Sequence, residues 1–343
     1  MKKIILPLLV SSLFGTIAFG DICHTKHGTD YGQKGVTAYA ESNHGPDGSL
    51  FLDPYFKKDI ENLKDKKLLD AGCGAAPWAI YAAQHGAEVY AIDIQEGMIE
   101  AAKNAVQFAK LADKVSVIKG DVATLPYDSD FFDEIISICV GCNLPPESFE
   151  KHFIECWRTL KNDGIAVVGA PTSLDVAFSN GSKTEAETRL HIQEILDQLP
   201  DNPTADLISD SLVQLEEVLS ATFYVKDNRL ALVTNEKDLQ EGQQIWRKLP
   251  KLVVPNRYYS KNYYVNIFKK HGFDIQNINL PHFNNEDERT AYNENASANA
   301  KLGKEYVVHA PFVIFHIKKE RNMNGNQNAM AALAVKLAKA GSI

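Results

Sequence analysis

The sequence predicts an α/β fold built on a doubly wound, mainly parallel sheet. Three observations carry that expectation. The first is a strand, a glycine turn and a helix start at Leu68-Leu69-Asp70-Ala71-Gly72-Cys73-Gly74-Ala75-Ala76-Pro77-Trp78, where apolar residues run into an acid and glycines follow at alternate positions. The second is rhythm: strand-length apolar runs alternate with helical patterns from residue 67 to residue 170, as βα units do. The third is that two later strands also lead into an acid, at Asp93 and at Asp121.

The elements follow in order. Residues 1–20 have a basic start, an apolar run and a small-residue end, the pattern of a secretory signal peptide or a membrane anchor. Residues 21–60 are polar and lead to a helix expected over 54–63; Cys23, His24 and His27 there match no common zinc spacing. Strands are expected at 67–70, 89–93, 115–119, 132–140 and 165–170, the last after an Asn162-Asp163-Gly164 turn. Helices at 77–85, 97–111 and 149–160 connect them, the second with Met98, Ile99, Ala102 and Val106 at helical spacing. Residues 171–257 break the rhythm and read as an insertion, with helices at 184–199 and 204–219 and a hairpin at 221–225 and 229–233. Ser260 caps a helix over 261–270, strands follow at 273–280 and 306–318, and 284–300 is polar helix or loop. Residues 321–343 form a tail. The expected division is therefore 1–20, 21–170, 171–257, 258–320 and 321–343.

Composition excludes some functions. The 343 residues are 45% hydrophobic and 23% charged, an ordinary globular make-up. A net charge of −8 argues against nonspecific nucleic-acid binding, which needs basic surface. Five scattered cysteines are not a disulfide framework, and no metal site is expected.

Glycines at the first turn let a ligand approach the backbone, and an acid ending the next strand can accept from both hydroxyls of a ribose. A dinucleotide site needs Gly-x-Gly-x-x-Gly, and Pro77 occupies its last position. The pattern acid-x-Gly-x-Gly is complete at Asp70-Ala71-Gly72-Cys73-Gly74. Here the chain resembles the class I S-adenosylmethionine (SAM)-dependent methyltransferases over about residues 50–320, with Ala76 where that family often has a third glycine. The resemblance implies a Rossmann-like sheet whose last strand is antiparallel; the insertion, which it does not match, is expected to act as a substrate cap. It implies SAM as cofactor, cradled by Asp70, Ala71, Gly72, Cys73 and Gly74. It places Asp93 on the ribose hydroxyls and Asp121 and Val122 on the adenine, with Ile94 and Met98 also among the cofactor-binding residues. Ile138 and Cys139, ending Phe132-Asp133-Glu134-Ile135-Ile136-Ser137-Ile138-Cys139, would flank the methionine part. Tyr31 and Tyr39 fall where relatives close over the cofactor. Asn143-Leu144-Pro145-Pro146 departs from the Asn/Asp-Pro-Pro-aromatic motif of amine and adenine methyltransferases, and reads as a loop.

The function expected is methyl transfer from SAM to a small-molecule acceptor by in-line displacement, in which the protein chiefly positions the nucleophile. His282 and Tyr258, with Tyr259 beside it, are candidates for a general base. Two other readings stay open: a SAM- or nucleotide-binding regulator without turnover, and a protein methyltransferase. Location is open too, since the signal-like segment points to export or anchoring and the cofactor to the cytoplasm.

Overall fold

The computed structural model describes residues 23–25, 28–30, 36, 53–172, 177–178, 185–215, 218–249, 252–280, 285–295 and 312–320. The signal-like segment, Tyr31, Tyr39, His282 and the tail lie outside them. A two-stranded ladder of β1 (Cys23–Thr25) and β2 (Gly28–Asp30), not expected from sequence, comes first, and helix α1 (Asp53–Ile60) follows.

The main sheet has seven strands: β3 (Lys67–Ala71), β4 (Glu88–Asp93), β5 (Val115–Lys119), β6 (Phe132–Ile138), β7 (Leu160–Pro171), β13 (Phe273–Asn279) and β14 (Phe312–Lys319). Their order is β13-β14-β7-β6-β3-β4-β5. The five strands from β7 to β5 are parallel, and β14 runs antiparallel to both β7 and β13. Successive strand residues face opposite sides, and both sides of the central strands are covered, which is why β3 and β6 are buried along almost their whole length while edge strands β5 and β13 are not. Leu69, Ile135, Val168 and Phe315 pack with helices α4 (Pro146–Thr159) and α7 (Lys261–Lys270). Their neighbours Leu68, Ile136, Val167 and Ile314 pack with α1, α2 (Pro77–Gln84) and α3 (Glu96–Phe108). Ser260 caps α7 as the sequence indicates, its hydroxyl accepting from the Tyr263 N–H at 3.1 Å.

Several bounds differ from expectation for local reasons. β6 stops at Ile138 because Cys139 turns left-handed, with φ 57°. The Asn162-Asp163-Gly164 turn sits inside β7 as an irregularity: Phe132 pairs with Leu160, and Glu134 already with Ile165. Helix α3 ends at Phe108, just ahead of the left-handed Lys110.

Between β7 and α7 lies a second, antiparallel sheet. Helices α5 (Glu185–Gln198) and α6 (Ala205–Leu212) precede it, the latter well short of the expected 204–219. Its strands are β8 (Ala177–Phe178), β9 (Val218–Lys226), β10 (Arg229–Leu232), β11 (Gln244–Leu249) and β12 (Leu252–Arg257), in the order β10-β9-β11-β12 with β8 on β9. Ile192 and Leu196 of α5 and Ile208 and Leu212 of α6 pack on Phe223, Trp246 and Val253. Helix α8 (Glu286–Asn295) lies in the polar stretch before β14. Among the described residues, no helix is long and apolar enough to cross a membrane.

Candidate functional site

Strand order switches between β3 and β6: β4 and β5 continue to one side and β7 to the other. In open α/β sheets that is where ligands bind, outside the carboxyl ends of the strands. The turn after β3 is left-handed at Gly72 (φ 72°) and Gly74 (φ 52°). A Cβ on Gly72 would stand 2.5 Å from Cγ2 of Val140, so the turns after β3 and β6 meet at a distance only glycine permits. The N–H groups of Gly72 and Cys73 donate to the Ile92 carbonyl at 2.8 and 3.0 Å, folding the turn onto β4. Ala76, at the start of α2, is also left-handed (φ 62°), a conformation costing about 1–2 kcal/mol for a residue with a Cβ. This is the physical reason a glycine suits that position.

Asp70, the penultimate residue of β3, lies on the α2 side and is 5% exposed. Burial pushes its carboxyl up to about 7; the Ala79 N–H pulls it down and the charge of Asp93 pushes it up. Its Oδ2 is buried without a hydrogen-bond partner among the described residues. Asp93, at the end of β4, accepts from the Gly74 N–H through Oδ2 at 3.0 Å and from the Gln95 N–H through Oδ1 at 2.9 Å. Burial raises this carboxyl too, against the pull of those N–H groups. Asp121, beyond β5, accepts from the Ala123 N–H at 2.8 Å, and Val122 beside it is buried.

The loop carrying Asp121 and Val122 is clamped from α4 by residues the sequence reading did not single out. Glu155 accepts from the Leu125 N–H at 2.8 Å. Arg158 donates to the carbonyls of Leu125 and Tyr127 at 3.0 and 2.7 Å, and pairs with Glu155 at 2.7 Å. His152, fully buried, sits with Nε2 2.9 Å from the Ser137 hydroxyl and Nδ1 3.4 Å from the Val122 carbonyl. Burial pushes its imidazole down to about 4, so it braces the loop as a neutral ring. The signal for all three was available: they are polar residues among Phe149, Phe153 and Cys156, the inward positions of the helix.

After β6, the Cys139 N–H donates to the Gly169 carbonyl at 2.7 Å. Its own carbonyl accepts from Asn143 Nδ2 at 2.7 Å, and Asn143 Oδ1 accepts from Asn256 Nδ2 of β12 at 2.9 Å. The second sheet is thereby tied to the β6 turn. Burial holds the Cys139 thiol up at about 11 and Cys142 higher still, so neither is a ready thiolate.

The structure thus gathers Asp70–Gly74, Asp93, Ile94, Asp121, Val122, Ile138 and Cys139 along one sheet edge. Ala71 and Cys73 turn their side chains into the core, leaving only backbone to the crevice, and Met98 is buried on α3. Tyr258 is elsewhere: it follows β12 and lines a narrow crevice between the two sheets with Tyr259 and Tyr264. Burial, with Glu236 and Glu241 nearby, raises its phenol. Among the described residues, no group of His, Cys, Asp and Glu is arranged to hold a metal ion.

Residues 69–168 match the family model described as a methyltransferase domain. The chain is 33% identical over 103 residues to 24-methylenesterol C-methyltransferase 3 of Arabidopsis thaliana, covering 30% of this chain and 28% of that protein. It is 36% identical over 92 residues to protein arginine N-methyltransferase 1 of Saccharomyces cerevisiae, covering 26% of each. The matches thus span less than a third of these relatives' lengths. In fold, the chain is similar to an S-adenosylmethionine dependent methyltransferase from Mesorhizobium loti, with TM-score 0.51, 15% identity, 80% of this chain and 100% of that chain covered.

Proposed function

We propose that this chain, which belongs through its residues 69–168 to the class I SAM-dependent methyltransferase family and takes S-adenosyl-L-methionine as cofactor, is an enzyme that methylates a small molecule. The residues present fit that cofactor. Asp70 holds a buried oxygen without a hydrogen-bond partner among the described residues, matched to a cationic ligand, and the Gly72 turn has no side chain to fill the crevice mouth. A carboxylate offers about four lone-pair sites. The Gly74 and Gln95 N–H groups, with Ile94 N–H beside them, take the inner side of Asp93, and the lone pairs left over are offered to ribose hydroxyls.

When bound, SAM supplies a methyl group already activated by its sulfonium. The protein's share is then to hold the parts and keep water out. In this reading Asp93 orients the ribose, Asp121 and Val122 the adenine, and the Gly72–Gly74 backbone lies against the methionine part. Ile138 and Cys139 border the reacting end. The second sheet covers the acceptor side, anchored by the Asn143–Asn256 hydrogen bond. With its raised phenol, Tyr258 would act as a hydrogen-bond donor rather than as a base. His282 remains the candidate base. The single observation that carries the proposal is the alignment of Asp70, Asp93 and Asp121 at the carboxyl ends of three adjacent strands around a left-handed glycine turn.

The acidic chain and the interrupted Asn143-Leu144-Pro145-Pro146 motif favour a small-molecule acceptor over nucleic acid. The test is SAM turnover to S-adenosylhomocysteine, followed by mass spectrometry, with the dialysable and non-dialysable fractions of a cell extract offered separately. Turnover with the dialysable fraction is expected. Turnover with only the other fraction would make the acceptor a macromolecule, and none with either would leave a binding protein.

A further inference from the structure

The turn after β6 is held in a conformation its residues do not favour. Cys139 has φ 57°, a left-handed backbone that is disfavoured about tenfold for a residue with a Cβ. Strain of this kind persists only where neighbours over-determine it. The Gly169 carbonyl fixes the Cys139 N–H at 2.7 Å. Asn143 Nδ2 fixes the Cys139 carbonyl at 2.7 Å, with the Cys142 thiol, a weaker donor, at 3.2 Å. The consequence appears one residue on. Val140 follows directly, and its Cγ2 stands where a Cβ on Gly72 would collide with it. The left-handed Cys139 therefore sets how closely the β6 turn approaches the Gly72–Gly74 backbone.

Asn143 closes the short helical turn Gly141–Asn143. Its amide has one oxygen and one NH2 group. Asn256 Nδ2 donates to the oxygen at 2.9 Å, and the NH2 group is thereby turned to Cys139. Asn256 belongs to β12 of the second sheet and is buried. Its donor thus selects the one amide orientation in which Asn143 can hold the turn. The remainder of the turn is seated from the α7 side. The Tyr259 hydroxyl donates to the Leu144 carbonyl at 2.9 Å, and Gly141 has no room for a side chain against Tyr264 and Phe149.

We propose that Asn143 is a positioning residue for the methionine part of the cofactor: oriented by Asn256, it holds Cys139 left-handed and so sets Val140 against the glycine turn. The proposal rests on the methyltransferase reading and adds a residue that acts on the cofactor through the β6 turn.

Calorimetry on the full chain with two probes tests it. S-adenosylhomocysteine carries the amino-acid part assigned to the two turns, and adenosine lacks it. Asn143→Asp keeps an oxygen for Asn256 and sets its other oxygen against the Cys139 carbonyl, acceptor against acceptor. Asn256→Asp does the same from the second sheet, by drawing the Asn143 NH2 group to itself. Each variant should bind S-adenosylhomocysteine about tenfold more weakly, the preference against the left-handed backbone. Adenosine affinity should stay within about threefold of the parent, the scatter expected between independent sites. Glycine adopts φ 57° without being held. In a Cys139→Gly background, either substitution should therefore weaken S-adenosylhomocysteine by less than about threefold. Equal loss for both probes would make the role general support of the fold and overturns the proposal. So does unchanged S-adenosylhomocysteine affinity in folded Asn143→Asp, or a loss that Cys139→Gly leaves in full. Where a single variant does not fold, recovery of folding with Cys139→Gly is the expected result, and no recovery is the refuting one. Failure of the unaltered chain to bind S-adenosylhomocysteine is a different result, and removes the methyltransferase reading itself.

Discussion

Replacing Asp93 separates a site residue from a scaffold residue, because the structure gives this carboxylate a scaffold task and the proposed function adds a ribose task. It accepts from Gly74 and Gln95, and so holds the glycine turn against β4. Its remaining lone pairs are assigned to the ribose. In Asp93→Ala two ribose contacts disappear. At about 1–1.5 kcal/mol net for each, affinity for S-adenosylhomocysteine should fall by roughly ten- to a hundredfold. The Gly74 and Gln95 N–H groups lose their acceptor as well. Since Asp93 is only partly buried, water can replace it, and the stability cost should be about 1–2 kcal/mol. Asp93→Asn is the sharper variant. An amide has one oxygen, so its NH2 must face either the Gly74 or the Gln95 N–H, donor against donor. It should therefore bind no better than Asp93→Ala despite its closer shape. Calorimetry gives affinity and thermal unfolding gives stability. A folded Asp93→Ala protein with unchanged affinity would refute the ribose assignment. An Asn variant that binds like the parent would refute the two-acceptor geometry.

Other perturbations follow from the same geometry. Gly72→Ala meets Val140 and must hold φ 72°, so it should lose about 1–3 kcal/mol of stability and most cofactor affinity; unchanged thermal unfolding would contradict the close approach. Asp70, raised to about 7, should ionise more fully when a cationic ligand binds. Affinity for SAM should then rise with pH through about 7, with proton uptake by the buffer in calorimetry, and flatten in Asp70→Asn. Glu134 is buried on β6 and pushed up to about 8 by burial, with Asp59 adding to it. A carboxyl raised in the folded state binds its proton more tightly than in the unfolded chain. Its contribution to stability therefore falls as pH rises from about 4.5 to about 8. Glu134→Gln should accordingly unfold at higher temperature than the parent at about pH 9 and show no such gain near pH 4; the reverse order would sink this reading. Glu155→Gln should loosen the Leu125–Tyr127 loop through Arg158, weakening binding of adenosine-containing ligands severalfold; an unaltered adenosine affinity would mean that the clamp does not support the site.

The main sheet was legible because its central strands are buried on both faces and its turns carry glycine or an acid. β5 and α7 fall where their patterns put them. The site acids were legible for the same reason, since each closes an apolar run. What escaped is instructive. β11 and β12 did not read as strands because Arg247 and Lys248 interrupt the apolar pattern, and both are buried by the sheet's two-sided packing. Pro255 further disguises β12, which tolerates it as an edge strand. The hairpin seen in the sequence at 221–233 is thus one part of a larger sheet running to Arg257. A deletion of 184–233 would break β11 away from β9 rather than remove a self-contained cap. The α4 clamp escaped because His152, Glu155 and Arg158 bind backbone far away in sequence, and spacing alone does not announce that.

The central claim is that the aligned acids and the glycine turn form a SAM site and not a dinucleotide site. Titrating the full chain with S-adenosylhomocysteine and, separately, with NAD tests it most directly. Micromolar binding of S-adenosylhomocysteine, with none of NAD, is the predicted result. Micromolar binding of NAD without S-adenosylhomocysteine would contradict it.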